Sequence, residues 1–419
     1  MDSNNEPLRQ AIELLLDLPN IQVQAVHQDR NGSYIVTLVS TEHGATCHKC
    51  NKRIDKSNGH GEWVTLRHTA IFEKPVYLRI RLPRYQCDCD GEPTTTQQVS
   101  WFTRRSPFTK VYEAYLLLEC VNSTTADVAI KKKVTCDKIQ GVIDRNIRKS
   151  VDWSTMEPFE VIGIDEISLK KGHKDFVAIV TARQGNETRI LGVLEDRTKE
   201  TVIKFFRSIP KVLRRAVRYV CSDMYDGFIN AAKEVFGKKV RIVADRFHVA
   251  KLYRDDLEDL RKKELRRLKR ELPAATYKEF KGVMWSLRKK EADLTADDET
   301  ALEQLFKYSP RLQQAYLFRN QLTAIFDRRM TRAQAKHQLN AWVGRIKRSA
   351  IRCFDGFIKT LMARKDEITN YFVGRHNSGF VEGLNNKIKV IKRRCYGILN
   401  LGHLFQRIQL DLVGYKLYA

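Results

Sequence analysis

Between Pro158 and His248 the sequence alternates buried-strand and amphipathic-helix patterns in one order, and that order restricts the fold more than any other feature of the chain. FEVIGIDEISL is an apolar strand pattern that runs into acids, and KDFVAIVTA and ETRILGVLE are two further strands able to follow it as a meander. KETVIKFFRSI reads as an amphipathic helix, AVRYVCSD as a strand, DGFINAAKEVF as a helix and VRIVADRFH as a strand. Three strands, a helix, a strand, a helix and a strand predict a mixed α/β sheet whose last two strands join the first in parallel through right-handed crossovers. Sites on such sheets lie beyond the carboxyl ends of the parallel strands. Asp165, Asp223 and Asp245 stand at those ends. One strand-terminal aspartate is ordinary, because Asp caps helices and opens turns. Three on adjacent strands are harder to dismiss: carboxylates brought together repel unless a hard cation separates them, which points to Mg²⁺ or Mn²⁺. Two such ions suit phosphoryl transfer.

The stretch GFVEGLNNKIKVIKRRCYG (379–397) places one acid, Glu382, ahead of a cationic run. In a helix, Glu382, Asn386 and Lys389 follow one another at spacings of four and three and share a face. A glutamate there can complete a metal site with Asp165 and Asp223, while Lys387, Lys389, Lys392, Arg393 and Arg394 take the phosphates of a bound strand. The alternative is a solvated basic helix carrying an incidental acid. The whole chain is basic: 75 Lys and Arg against 50 Asp and Glu in 419 residues, a formal charge of +25. Such a balance indicates a polyanionic partner, nucleic acid before a membrane surface. No apolar run approaches the roughly 18 residues of a membrane span, and MDSNNEPLRQ lacks a signal-peptide pattern, so the expected location is cytoplasmic, at the nucleoid.

Nine cysteines in such a chain favour metal binding or buried thiols over a disulfide framework. Four form close pairs, Cys47 with Cys50 and Cys87 with Cys89, and the interval between the pairs alternates like strands. Two tight turns delivering four soft ligands suit tetrahedral Zn²⁺. The second pair is one residue tighter than usual, which leaves His48, His60 and His68 as substitutes for Cys89. Beyond TRRSPFT, three helices are expected: KVYEAYLLLECV, then STTADVAIKKK, then TCDKIQGVIDRNIRK capped at Thr135. A short helix, a turn and a polar, basic helix make a helix-turn-helix pattern, with Lys138 and Arg145 of the last helix as candidate DNA contacts. A plain three-helix bundle remains the alternative.

The interval from Asp223 to Glu382 far exceeds one strand and one link. Its excess is helical in pattern and highly charged, as in DDLEDLRKKELRRLKREL. It reads as an α-helical insertion that grips DNA or a second protomer, or whose first segment is a solvated or coiled helix. Trp285 and Trp342 are expected in its core. The resulting division is a β-rich zinc-binding domain (1–105), a helix-turn-helix (106–155), the first part of an α/β core (156–249), an α-helical insertion (250–370) and the C-terminal part of the core with Glu382 (371–419).

The order GIDE, CSDMYDGF, ADRFHV and SGFVEGLNNKIKVIKRRCYG, behind paired cysteines and a helix-turn-helix, resembles the transposases of bacterial insertion sequences of the ISL-three group. The resemblance implies a ribonuclease-H-like core of the DDE type with its triad on Asp165, Asp223 and Glu382. It also implies an N-terminal Zn²⁺ module and recognition of terminal inverted repeats. Asp245 and His248 fall in a further motif, DRFH, beside the metal site but outside the triad. The expected partners are transposon-end DNA and target DNA, with a homodimer or larger assembly, because two ends are cut in concert. A stand-alone nuclease on the same core and a catalytically retired DNA-binding regulator are the rival classes.

Overall fold

Local signals place most elements where the sequence puts them. The computed structural model describes residues 6–168, 176–184, 187–376, 379–395 and 397–419, and backbone contacts divide the chain into two units, residues 1–149 with 406–419 and residues 150–405.

The first unit opens with helix α1 (Glu6–Leu16), strands β1 (Ile21–Gln28) and β2 (Tyr34–Ser40), and the short pair β3 (Ala45–Thr46) and β4 (Arg53–Ile54). The long hairpin β5 (Ser57–Ile71) and β6 (Lys74–Gln86) follows, then β7 (Thr94–Thr96). The larger sheet has the order β1-β2-β6-β5 with β7 on β6, and β2 runs parallel to β6. Phe72 and Glu73 turn the hairpin with φ of 48° and 62°, the left-handed pair that matches strand twist in a two-residue turn. Leu38, Leu66, Leu78 and Ile80 fill the core of this sheet.

Helices α2 (Lys110–Cys120), α3 (Thr125–Lys132) and α4 (Cys136–Asn146) are each opened by a threonine, Thr109, Thr124 and Thr135, whose side chain accepts a first-turn backbone N–H. Phe108, Leu116, Val128, Ile139 and Ile143 pack between them together with Leu410. The C-terminal residues join this unit through buried polar groups. Gln406 Nε2 donates to Asp144 Oδ1 (3.0 Å) and to the Ile147 carbonyl (2.7 Å), and the Arg407 guanidinium donates to the Cys120 carbonyl (2.9 Å). A reading of apolar periodicity carries no sign of such polar anchors, and it groups these residues with 371–405 instead.

The second unit contains β8 (Val161–Ser168), β9 (Phe176–Gln184), β10 (Glu187–Leu194), α5 (Lys199–Ser208), α6 (Lys211–Ala216), β11 (Tyr219–Ser222), α7 (Asp226–Phe236) and β12 (Arg241–Ala244). The sheet order is β10-β9-β8-β11-β12, an antiparallel meander followed by parallel pairing of β8, β11 and β12, as the strand and helix order predicts. Alternation divides the parallel strands between two cores. Ile162, Ile164, Val220 and Ile242 pack against Val202, Phe206 and Phe228 of α5 and α7. Val161, Cys221 and Val243 face the other way, into a cluster that includes Val249, Tyr253 and Leu257 and extends to Trp342.

That cluster is built by α8 (Arg246–Glu271), α9 (Ala274–Lys278), α10 (Val283–Arg288), α11 (Ala296–Tyr308), α12 (Pro310–Asp327), α13 (Arg332–Arg348), α14 (Asp355–Ala363) and α15 (Lys365–Thr369). The mixed-charge helix α8 buries one stripe, Leu257, Leu260, Glu264 and Leu268, and Glu264 is satisfied by Ser309 Oγ (2.7 Å) and Arg267 (2.9 Å). Trp342 is fully buried, and its Nε1 donates to the Phe318 carbonyl (2.9 Å). Trp285 departs from expectation: it is 63% exposed, because α10 buries Val283, Ser286 and Leu287 instead. Helices α16 (Gly379–Arg394) and α17 (Leu401–Tyr418) close the chain. Among the described residues no helix is long and apolar enough to cross a membrane.

Candidate active site and metal centre

Parallel register brings the strand-end acids into one row. Ile164 pairs with Ser222, and Ser222 with Ala244, so Asp165, Asp223 and Asp245 each come one residue beyond a paired position on three adjacent strands. Adjacent strands lie about 4.8 Å apart. Each aspartate spends its Oδ1 on a nearby backbone N–H: Asp165 on Glu166 (2.8 Å), Asp223 on Tyr225 (3.0 Å) and Asp245 on Phe247 (3.0 Å). Asp245 is buried and is the N-cap of α8, with His248 Nε2 3.8 Å from its Oδ2. Asp165 and Asp223 are partly exposed.

Helix α16 runs along β8. The Asn385 side-chain amide donates to Asp165 Oδ2, and Lys392 Nζ donates to the Ser168 carbonyl (2.5 Å). Glu382 lies in the first turn of the same helix, three residues before Asn385; its side chain falls outside the described residues. On the other side of the row, Arg197 pairs with Glu166 (2.6 Å), and its guanidinium lies over the rings of Phe176 (4.9 Å) and Tyr225 (5.0 Å).

The row is electrostatically costly as it stands. Burial pushes the Asp165 carboxyl up to about 6; the Glu166 N–H and His248 oppose the rise, and the charges of Asp223 and Asp245 add to it. Burial also raises Asp223, against the Tyr225 N–H, His248 and Arg197. Carboxylate oxygens held in a row and disfavoured as anions form a donor set that fits a hard divalent cation.

A second donor set lies in the first unit. Cys47 and Cys50 flank a knuckle in which the Cys47 N–H donates to the Lys52 carbonyl (2.8 Å) and the Asn51 N–H to the Cys47 carbonyl (3.0 Å). Gly44, at φ 81°, precedes it, and a Cβ there would come 2.7 Å from the Ile54 carbonyl oxygen, so the turn requires glycine. Cys87 and Cys89 follow the end of β6. The four sulfurs lie within 4.8 Å of one another, with Cys47 to Cys89 at 3.9 Å and Cys50 to Cys87 at 3.6 Å. Four sulfurs around tetrahedral Zn²⁺ at ~2.3 Å stand roughly 3.8 Å apart, so the cluster fits that ion. Cys89 therefore takes the fourth corner. His48 and His68 are engaged elsewhere, with their Nδ1 atoms on Thr95 Oγ1 (2.9 Å) and Thr109 Oγ1 (2.8 Å).

The sequence pattern of the DDE transposases of the ISL3 type matches residues 162–408, which spans the whole row and α16. The chain belongs to that family. These transposases are enzymes that cut and transfer DNA strands, and the pattern of the zinc finger of the IS204/IS1001/IS1096/IS1165 transposases matches residues 43–89, which hold all four clustered cysteines. The transposase for insertion sequence element IS1001 of Bordetella parapertussis is 25% identical over 392 residues, covering 92% of this chain and 93% of the relative. The transposase for IS1557 of Mycobacterium tuberculosis is 22% identical over 395 residues, covering 88% and 86%.

Within this ISL3 transposase the basic residues expected at DNA divide by their surroundings. Lys138 is exposed on α4, and Asn386, Lys389 and Arg393 are exposed on α16. Arg145 is instead held by buried Glu113 (2.5 Å), which also accepts from Ser106 Oγ (2.6 Å) and Asn146 Nδ2 (3.0 Å). Lys392 is occupied by the Ser168 carbonyl. Lys387 is half-buried on α16, and Arg394 lies at its C-terminal end. Sequence spacing did not find Asn385, Glu166 or Arg197. Glu166 carries a faint signal as the second acid of GIDE; Arg197, between β10 and α5, carries none.

Proposed function

We propose that this transposase works through a ribonuclease-H-like core in which Asp165, Asp223 and Glu382 hold two Mg²⁺ or Mn²⁺ ions. The observation that carries this reading is the register row of Asp165 and Asp223 together with the bond from Asn385, one helical turn after Glu382, to Asp165. When bound, such ions supply the positive charge that favours attack on a phosphodiester and departure of the leaving oxygen. The chain's own groups fix the geometry. The Glu166 and Tyr225 N–H groups orient one oxygen each of Asp165 and Asp223, leaving the other oxygen of Asp223 without a hydrogen bond among the described residues. Asp245, buried and capping α8, supports the row from beneath and stays outside the triad, with His248 beside it.

DNA enters along the basic face of α16, where Lys389 and Arg393 stand exposed for phosphates, with Asn386, Lys387 and Arg394 on the same helix. Lys392 serves to dock the helix, and Arg145 to brace α4 against α2 through Glu113. Helices α2 to α4 act as a helix-turn-helix that reads the terminal inverted repeats, with Lys138 on its recognition helix, and Zn²⁺ on Cys47, Cys50, Cys87 and Cys89 stabilises the turns of the N-terminal module. The chain acts as a homodimer or larger assembly on two transposon ends and a target duplex. The test is a strand-transfer assay with labelled end DNA and Mg²⁺. Joining of the end to a second duplex is expected, and Asp223→Ala should lose cleavage while keeping end binding. Cleavage without joining would identify a stand-alone nuclease, and full activity of Asp223→Ala would refute the assignment.

A further inference from the structure

Asn385 is 4% exposed, and its two polar atoms have different fates. The amide nitrogen donates to Asp165 Oδ2, while the carbonyl oxygen is buried without a hydrogen-bond partner among the described residues. A buried acceptor left unmet costs about 1–3 kcal/mol, which an apolar side chain of similar size would avoid. The backbone supplies the reason for a polar group at this position. From Asn385 to Lys392 the helix rises by about 10.5 Å, and from Asp165 to Ser168 the strand rises by about 10 Å. The two bonds therefore clamp α16 parallel to β8 at matched heights. With Glu166 on its other oxygen, Asp165 has a donor on each side and a fixed carboxylate plane.

We propose that Asn385 is a positioning residue of the acid row: its amide fixes the second oxygen of Asp165, sets the height of the helix that bears Glu382, and offers its unmet carbonyl oxygen to the hydration shell of the divalent cation. This rests on the reading of Asp165 as a cation-holding acid. Groups that orient metal-holding side chains typically change metal affinity by about 10–100-fold when removed.

The experiment titrates the full, zinc-loaded chain with Mn²⁺ alone and follows free Mn²⁺ by electron paramagnetic resonance. Asn385→Ala should weaken Mn²⁺ binding by about 10–100-fold while the metal-free protein melts close to the unmodified chain; affinity within about twofold would overturn the proposal. Should Asn385→Ala fail to fold, Asn385→Asp decides. Its added carboxylate beside Asp165 should make the melting temperature rise more on Mn²⁺ addition than in the unmodified chain; an equal or smaller rise would overturn the proposal. Asp165→Ala separates the two layers. If it binds Mn²⁺ normally, the reading of the row itself fails. If it loses Mn²⁺ while Asn385→Ala and Asn385→Asp behave like the unmodified chain, only the role of Asn385 fails.

Discussion

Replacing Asp165 with asparagine should stabilise the protein when no divalent cation is added. In the fold the Asp165 carboxyl titrates at about 6, against an ordinary 3.8. Native protein therefore holds this proton more tightly than unfolded chain does. The group's favourable contribution is complete below the unfolded value, is lost as pH rises from 3.8 to about 6, and is absent above that. The gap corresponds to about 3 kcal/mol at most, and to about 2 after allowance for the partial exposure of the side chain. Asparagine carries no such penalty. It can also keep the local bonds, because Asn385 has an unmet carbonyl oxygen to turn toward the new amide. At about 2–4 °C per kcal/mol for a unit of this size, Asp165→Asn should raise the melting temperature by about 4–8 °C at pH 8. At pH 5 the gain should shrink to about half. Differential scanning calorimetry of zinc-loaded protein in magnesium-free buffer measures this. Added Mg²⁺ should reverse the order, because only the unmodified chain gains from binding. Equal melting at pH 8, or a loss in the variant, would refute the claim that this acid is held against its own solvation.

Two further outcomes test other parts of the structure. Cys89→Ser, or chelation of zinc, should release about one Zn²⁺ per chain, measured by atomic emission, and should open the 43–93 segment to trypsin while leaving the melting of the 150–405 unit unchanged. Trp342→Ala should cost about 3–5 kcal/mol in urea unfolding, because it empties the centre of the helical cluster, whereas Trp285→Ala on the surface should stay within about 0.5 kcal/mol.

The residues that sequence places correctly are those whose position follows from local rules. The Thr135 cap depends on one side chain and two or three backbone groups, and it opens α4 where the sequence puts it; Thr109 and Thr124 cap α2 and α3 by the same rule. The row of aspartates follows from strand order, since parallel neighbours must bring equivalent ends together. The four-cysteine cluster is legible from its two tight pairs, although only the folded turns choose Cys89 over a histidine. What sequence misses depends on how elements rotate against each other. Spacing from Glu382 favours Asn386 as the residue on the acid's face. The helix is turned by burial of Leu384, Ile388 and Ile391, and this brings Asn385 to Asp165 and leaves Asn386 exposed. Arg145 has the composition of a DNA contact, yet Glu113, thirty-two residues away on another helix, takes its charge. Trp285 reads as core by residue type and lies outside because a six-residue helix has only one face to bury.

The docking of α16 separates attachment from alignment. Leu384, Ile388 and Ile391 are 6%, 1% and 1% exposed, and full burial of such side chains contributes about 1.5–3 kcal/mol each. The Asn385 bond to the Asp165 carboxylate, as a hydrogen bond to a charged group, adds about 1.5–3 kcal/mol, the equal of one of these three side chains, and loss of the Asn385 side chain also removes a buried carbonyl oxygen that costs about 1–3 kcal/mol. The apolar stripe therefore holds the helix against the sheet, and loss of the Asn385 amide should leave it attached. Apolar contact, however, is non-directional, and it tolerates a slide along β8 that would shift the first turn of α16 relative to the row. The Asn385 and Lys392 bonds, set at matched heights on strand and helix, resist that slide. On the proposed reading, in which Glu382 joins the row from a distant segment, alignment matters more than adhesion, since catalytic geometry is lost over displacements of about 1 Å. That is why the consequences of Asn385→Ala should appear in cation affinity and leave stability nearly untouched.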